Sequence, residues 1–278
     1  MVSKIRIGAH VSVAGDVSQA PLRAKEIGCE CFQFFSRPPQ GGKGKEIDAK
    51  TIKEFKKNSK GLEAYIHSPY YINLASAKNN IYYGSIKVLK DELERGNLLG
   101  VRYMMAHLGS AKDLGRSKGL KKAIDGLVQI LKDYQGKTEF LIEMSAGAGE
   151  IIGGTFEEIK KIVESSKLKK YDLGICFDTA HAFASGYDLR DEKAVKQTFS
   201  KLNKVLGIKR LKLIHANDSL ADLGSHKDQH AHIGEGEIGL KGFKAIVQFA
   251  KKQKLSLVLE TPDHDKRIKD ISILKKMK

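Results

Sequence analysis

Short apolar runs rich in strand-forming residues alternate with segments of helical periodicity along the whole chain. The runs predict strands near 4–9, 30–35, 62–67, 101–107, 138–144, 171–177, 209–215 and 254–260. Apolar positions recurring at i, i+3 and i+4 predict helices near 16–28, 48–60, 80–98, 118–134, 155–166, 190–206 and 241–252. Eight such units match a closed parallel (β/α)8 TIM barrel. An open doubly wound sheet is the alternative architecture. No Pro/Ser-rich linker breaks the chain, so 1–278 is read as one domain.

The polar residues that end these runs carry the functional signal. KIRIGAH ends on His10, EAYIH on His67, VRYMMAH on His107, EFLIEM places Glu143, LKLIHAND places His215 and LSLVLE ends on Glu260. LGICFDTAH breaks on Asp178 and sets His181 three positions later, where the two share a face if the chain turns helical. Right-handed crossovers put the carboxyl ends of all parallel strands on one face, where barrel active sites are built. A ring of strand ends can gather these groups into one pocket, which an open sheet cannot do. Two readings of Asp178 stay open, a helix N-cap and a ligand. His10 is equally a buried core residue or a group that orients a ligand.

More donors lie in GSHKDQHAHIGEGEIG. Asp228 and His230 alternate with Gln229, so an extended segment points both one way, and His226 or His232 could replace a partner. Imidazole and carboxylate without thiolate suit zinc, although the same mixture also suits manganese or iron. GEGEIG at 234–239 matches GxGxxG in form but follows a loop and not a strand, so its glycines are read as shaping a turn. GGKGK at 41–45 and SAGAGEIIGGT at 145–155 are read as loops that could cradle phosphate or simply face solvent.

The 49 Lys plus Arg against 33 Asp plus Glu give a formal charge of +16, which attracts polyanions and makes nucleic acid the leading partner class. The three cysteines, 29, 31 and 176, have no CxxC spacing and read as small buried residues of a reduced, cytoplasmic protein. No run of about 18 apolar residues or secretory h-region is found, so neither a membrane span nor a signal peptide is expected.

HSPYYINLAS, AHLGS, LIEMSAG, FDTAHAFASGYD, IHANDS, KDQHAHIGEG and LETP follow one another at spacings that resemble the endonuclease IV family of apurinic/apyrimidinic endonucleases. The resemblance implies a (β/α)8 barrel holding three zinc ions, a zinc-dependent deoxyribonuclease IV of DNA repair acting as a monomer on double-stranded DNA. It implies cleavage 5′ to an abasic nucleotide, leaving a 3′-hydroxyl and a 5′-deoxyribose phosphate, and cleaning of blocked 3′ ends. By motif match, His67, His107 and Glu143 would bind one zinc. Glu143 would bridge to a second held by Asp178, His215 and Glu260, while His181, Asp228 and His230 would bind the third. Glu143 is then the catalytic candidate, orienting the attacking water or accepting its proton. Tyr70, Tyr71 and Arg37 match positions that wedge into the minor groove and flip the nucleotide out. Tyr71 stands where an aliphatic residue is more usual, and RPPQGGKG departs from some members.

Two rival classes are a metal-dependent sugar isomerase or epimerase on the same barrel and a nucleic-acid-binding protein without catalysis. The first usually needs one or two ions, so the third donor set argues against it. The second has no use for nine convergent ligands.

Overall fold

Eight strands hydrogen-bond into a ring, and the inside of that ring is filled by side chains. The computed structural model describes residues 5–278. The strands are β1 (Ile7–His10), β2 (Cys31–Phe35), β3 (Glu63–His67), β4 (Tyr103–Ala106), β5 (Glu139–Glu143), β6 (Gly174–Asp178), β7 (Leu211–His215) and, after a small hairpin, β10 (Ser256–Leu259). Each barrel neighbour is parallel, and β10 closes on β1. The expected barrel is therefore the observed one. Residue 4, which opens the expected 4–9 strand, lies outside the described residues.

Cys31, Tyr65, Tyr103, Met105, Leu141, Cys176, Leu213 and Val258 form a buried apolar cluster of their own inside the ring. A larger core lies between the strands and the surrounding helices. Because side chains alternate across a strand, the residue two positions on from each inner one points inward again, one level nearer the carboxyl-end mouth. Those residues are Gln33, His67, His107, Glu143, Asp178, His215 and Glu260, and on β1 the corresponding end is His10. The apolar plug is thus capped by a polar layer. At Gly8, where β1 passes β2, an added Cβ would sit 1.7 Å from the Cys31 carbonyl oxygen, so the inward position there admits no side chain.

Helices α1 (Ala20–Glu26), α2 (Ala49–Asn58), α3 (Asn79–Leu99), α4 (Arg116–Leu131), α5 (Phe156–Val163), α7 (Glu192–Leu206) and α8 (Gly239–Gln253) occupy the expected crossovers. The segment read as a helix over 16–28 begins as a single 3-10 turn, Val17–Gln19, capped by Asp16, with Pro21 in the first turn of α1. Two helices lie outside the expected crossovers. The six-residue α6 (Thr179–Ala184) starts directly on the Asp178 carboxylate, and α9 (His264–Met277) follows the last strand. Only Asp270, Ile271 and Leu274 of α9 are fully buried, so its apolar stripe is too faint to read. It packs across α8, β1 and β10, over the seam where the ring closes.

The loop after β7 contains a short antiparallel pair, β8 (Asp218–Ser219) and β9 (His230–Ala231), which carries His230 over the mouth. No helix of the described residues is long and apolar enough to cross a membrane.

Candidate metal centre

All nine expected donors converge at the mouth. Glu143 is fully buried at their centre, and its two carboxylate oxygens face different partners. Oε2 lies 2.8 Å from His67 Nε2 and 3.6 Å from His107 Nε2. Oε1 lies 2.9 Å from His215 Nδ1. His215 Nδ1 is also 3.2 Å from Glu260 and 3.8 Å from Asp178. The third set gathers around Asp228, whose Oδ1 is 3.1 Å from His181 Nε2 and 3.4 Å from His230 Nε2. Three groups have ligand atoms within 4.8 Å of one another: His67/His107/Glu143, Glu143/Asp178/His215/Glu260, and Asp178/His181/His230.

The hydrogen bonds of the imidazoles test whether these residues suit metal ions. His67 Nδ1 donates to the Ser68 carbonyl at 2.7 Å, and His181 Nδ1 donates to the Met144 carbonyl at 2.9 Å. His215 Nε2 donates to Gln33 Oε1 at 2.7 Å. In each ring one nitrogen directs its proton to an outer oxygen, so the other turns a lone pair toward carboxylates. That is how metal-ligating histidines are held. His107 offers Nε2 to Glu143, while its buried Nδ1 has no protein partner.

Charge points the same way. Glu143, Asp178, Asp228 and Glu260 pair only with histidines and meet no Lys or Arg within 4.0 Å among the described residues. Four carboxylates gathered this closely need a positive counter-charge. Burial would push the Glu143 carboxyl up, but His107, His215 and His67 outweigh it and hold the group well below the usual range. Burial likewise opposes a proton on His181, yet Asp178, Asp228 and Glu143 lift that imidazole to about 10. The donor set fits cations.

Asp178 caps a helix, one of its two sequence readings, and its carboxylate also stands in two of the donor groups. Oδ1 accepts from the His181 amide at 2.9 Å and caps α6, while Oδ2 accepts from Asn217 Nδ2 at 2.6 Å. Asn217 and Gln33 are the functional residues that sequence reasoning missed. Asn217 Oδ1 accepts from the Glu260 amide at 2.7 Å, so one side chain ties two ligand-bearing strand ends together. Gln33 Nε2 donates to Glu260 Oε1 at 2.6 Å and lies 3.0 Å from His10 Nδ1. The signal for Gln33 was its register, two residues beyond the inward-facing Cys31. His10 meets the site through Gln33 and, at 4.0 Å, through Glu260 Oε1, contacts that fit the orienting one of its two readings. Burial, against the opposing pull of Glu260, lowers its pKa to about 3 and keeps the ring neutral.

The spare histidines do not join the cluster. His226 Nδ1 meets the Ala146 carbonyl at 3.0 Å, and His232 Nδ1 meets Asp270 at 2.7 Å. The GEGEIG loop wraps a buried carboxylate, since Asp218 accepts from the amides of Gly234, Gly236, Ile238 and Gly239. Its glycines shape a turn: a Cβ on Gly236 would lie 2.4 Å from the Ser219 carbonyl oxygen. Of the two other glycine-bearing loops, the one at 41–45 is largely exposed, with Lys45 bonded to the Gly15 carbonyl. The loop after β5 lines the metal pocket through Ser145, Ala146, Ala148 and Ile151.

The mouth opens into a cavity of about 630 Å³. Tyr70, 67% exposed and packed edge-on against Phe35 at 5.0 Å, stands on its rim beside Tyr71, which is 37% exposed. Arg37 differs from its expected exposed position. Its side chain is 7% exposed and bound to Glu92 and Asp91 of α3, and Ser36 and Arg95 complete the network around Glu92. In this conformation it braces the loop after β2 and presents no free tip.

Comparison with known proteins agrees with the geometry. The family described as xylose isomerase-like TIM barrel matches residues 21–277. A probable endonuclease 4 of Nitrosopumilus maritimus is 41% identical over 274 residues, covering 95% of each chain. One of Halothermothrix orenii is 38% identical over 274 residues, covering 97% of this chain and 98% of its own. The crystal structure of endonuclease IV from Thermus thermophilus superposes with a TM-score of 0.85 at 29% identity, covering 98% of both chains.

Proposed function

The chain belongs to the endonuclease IV family of DNA-cleaving hydrolases, and from that premise we propose how its pocket acts. The substrate is duplex DNA containing an apurinic/apyrimidinic site. The phosphodiester on its 5′ side is hydrolysed to a 3′-hydroxyl and a 5′-deoxyribose phosphate, and blocked 3′ ends are trimmed. The observation that carries this reading is the central carboxylate of Glu143, whose two oxygens face two separate donor groups.

His67, His107 and Glu143 would hold one ion, Glu143 with Asp178, His215 and Glu260 a second, and His181, Asp228 and His230 a third, zinc in each case. When bound, such ions lower the pKa of water, neutralise phosphoryl charge and stabilise a departing oxygen. The chain's own contribution is placement. Glu143 is fixed from both sides by imidazoles, so its carboxylate can orient a water and take up its proton. Asn217 and Gln33 hold the ligand-bearing ends in register around it. Tyr70 and Tyr71 form an aromatic rim above the pocket that can stack in the gap left by a missing base, a contact worth about 1–3 kcal/mol. All nine donors come from one chain, which supports a monomer as the working unit. Three buried free thiols support work in a reducing cytoplasm.

A ketose epimerase on the same barrel would leave the third donor group without a task. End-labelled duplex bearing one tetrahydrofuran abasic analogue discriminates the readings. A single cut on its 5′ side, with an end that a polymerase extends, is expected. Equal cutting of intact duplex, or epimerised ketose with DNA untouched, would overturn the proposal.

A further inference from the structure

Arg267 is the only Lys or Arg among the described residues that line the metal pocket. It stands in the first turn of α9, and its guanidinium lies across the seam where the barrel closes. Nη1 donates to the His10 carbonyl at 2.8 Å, and Nε donates to the Thr261 carbonyl at 2.8 Å. Nη2 donates to the same Thr261 oxygen and lies 3.4 Å from the Pro262 carbonyl. Among the described residues no carboxylate lies within 4.0 Å of it, whereas Arg37, Arg102, Arg116, Arg190 and Arg210 each pair with one. A half-buried guanidinium held by neutral carbonyls has no carboxylate in ion-pair contact, and Glu260 and Asp270 act on its charge only from beyond 4.0 Å. It is also fixed in direction, and a second proton on Nη1 remains free to donate.

We propose that Arg267 binds a backbone phosphate of the strand that the enzyme cuts. The ligand is a phosphodiester anion, because the one Lys or Arg that lines the pocket among the described residues borders a cavity whose other walls supply carboxylates, imidazoles and an aromatic rim. Planar guanidinium is well matched to phosphate oxygens, and its immobilisation means little side-chain freedom is lost on contact. Arg267 is thereby separated from the diffuse +16 surface charge: it supplies one directed phosphate contact at the site itself. This inference rests on the DNA-cleaving reading above and adds the residue that positions the strand.

The experiment measures affinity and cleavage for the tetrahydrofuran duplex as a function of salt in wild type, Arg267→Gln and Arg267→Lys. Loss of one phosphate contact should lower the slope of log affinity against log salt by about 0.9 and raise KM by roughly tenfold, with kcat and metal content unchanged in Arg267→Gln. Arg267→Lys keeps the charge, so it should retain the wild-type slope, although its single nitrogen lacks the planar fork that spans the carbonyls. If Arg267→Gln fails to fold, Arg267→Lys decides: a slope reduced by the same amount would mean that charge at this position is not what DNA reads. An unchanged slope and KM in Arg267→Gln, or loss of metal with KM intact, would reduce Arg267 to a staple of the β1–β10 seam and overturn the proposal. Failure of wild type to cut the abasic duplex would instead refute the underlying functional reading.

Discussion

The Nε2 atoms of His181 and His230 lie 3.3 Å apart. His181 Nδ1 already donates to the Met144 carbonyl, so its Nε2 turns toward His230, and a positive charge held between the two rings, a proton or a metal ion, suits both nitrogens. Asp228, in reach of both rings, favours the same charge. His230→Ala should therefore release about one of three metal equivalents and leave the other two in place. Elemental analysis after gel filtration reads this directly. Loss of all metal together would show that the three donor groups form one cooperative unit.

Glu143→Gln keeps the side-chain volume and removes the central charge. Turnover should fall by several orders of magnitude while affinity for the abasic duplex stays within a few-fold, because the groove contacts lie elsewhere. Single-turnover rates and equilibrium binding, measured on the same preparation, separate the two. A near-normal rate would move the catalytic role to another residue.

Asn217 joins Asp178 to Glu260 through its side chain. Asn217→Ala should weaken metal retention or activity by about 10–100-fold, as the loss of partners that orient ligands commonly does. Competition with a chelator measures retention. Unchanged retention and rate would mean that the two strand ends hold their register without it.

The barrel and its polar mouth were legible because each strand is a short apolar run whose polar end faces inward. Alternation then places His67, Glu143, Asp178, His215 and Glu260 on one level without further information. Gln33 and Asn217 were not legible, since a neutral amide carries no metal signal and its value depends on partners up to 227 residues away. The same limit applies to Arg37. Its exposure is decided by Glu92 on α3, 55 residues away, which the residues around Arg37 do not reveal. Helix α9 escaped notice because it lies on the seam with only a narrow buried stripe.

Arg37 and Tyr70 should separate when mutated singly. Arg37→Ala leaves buried Glu92 to Ser36 and the more distant Arg95 and should cost about 1–3 kcal/mol of stability in denaturant unfolding. Tyr70→Ala should leave stability nearly unchanged and reduce the preference for abasic over intact duplex by roughly tenfold. If instead Arg37→Ala unfolds like wild type but loses discrimination, its side chain leaves the Glu92 site to meet DNA.

The central claim is that nine side chains, gathered from the barrel's strand ends, the start of α6 and the loop after β7, form a three-ion centre. Its most direct test is metal content per chain, by elemental analysis, in protein purified without chelator and assayed for cleavage of the abasic duplex. The account predicts about three equivalents, mostly zinc, with activity lost on their removal and regained on their return. Full activity in protein carrying one equivalent or none would contradict it.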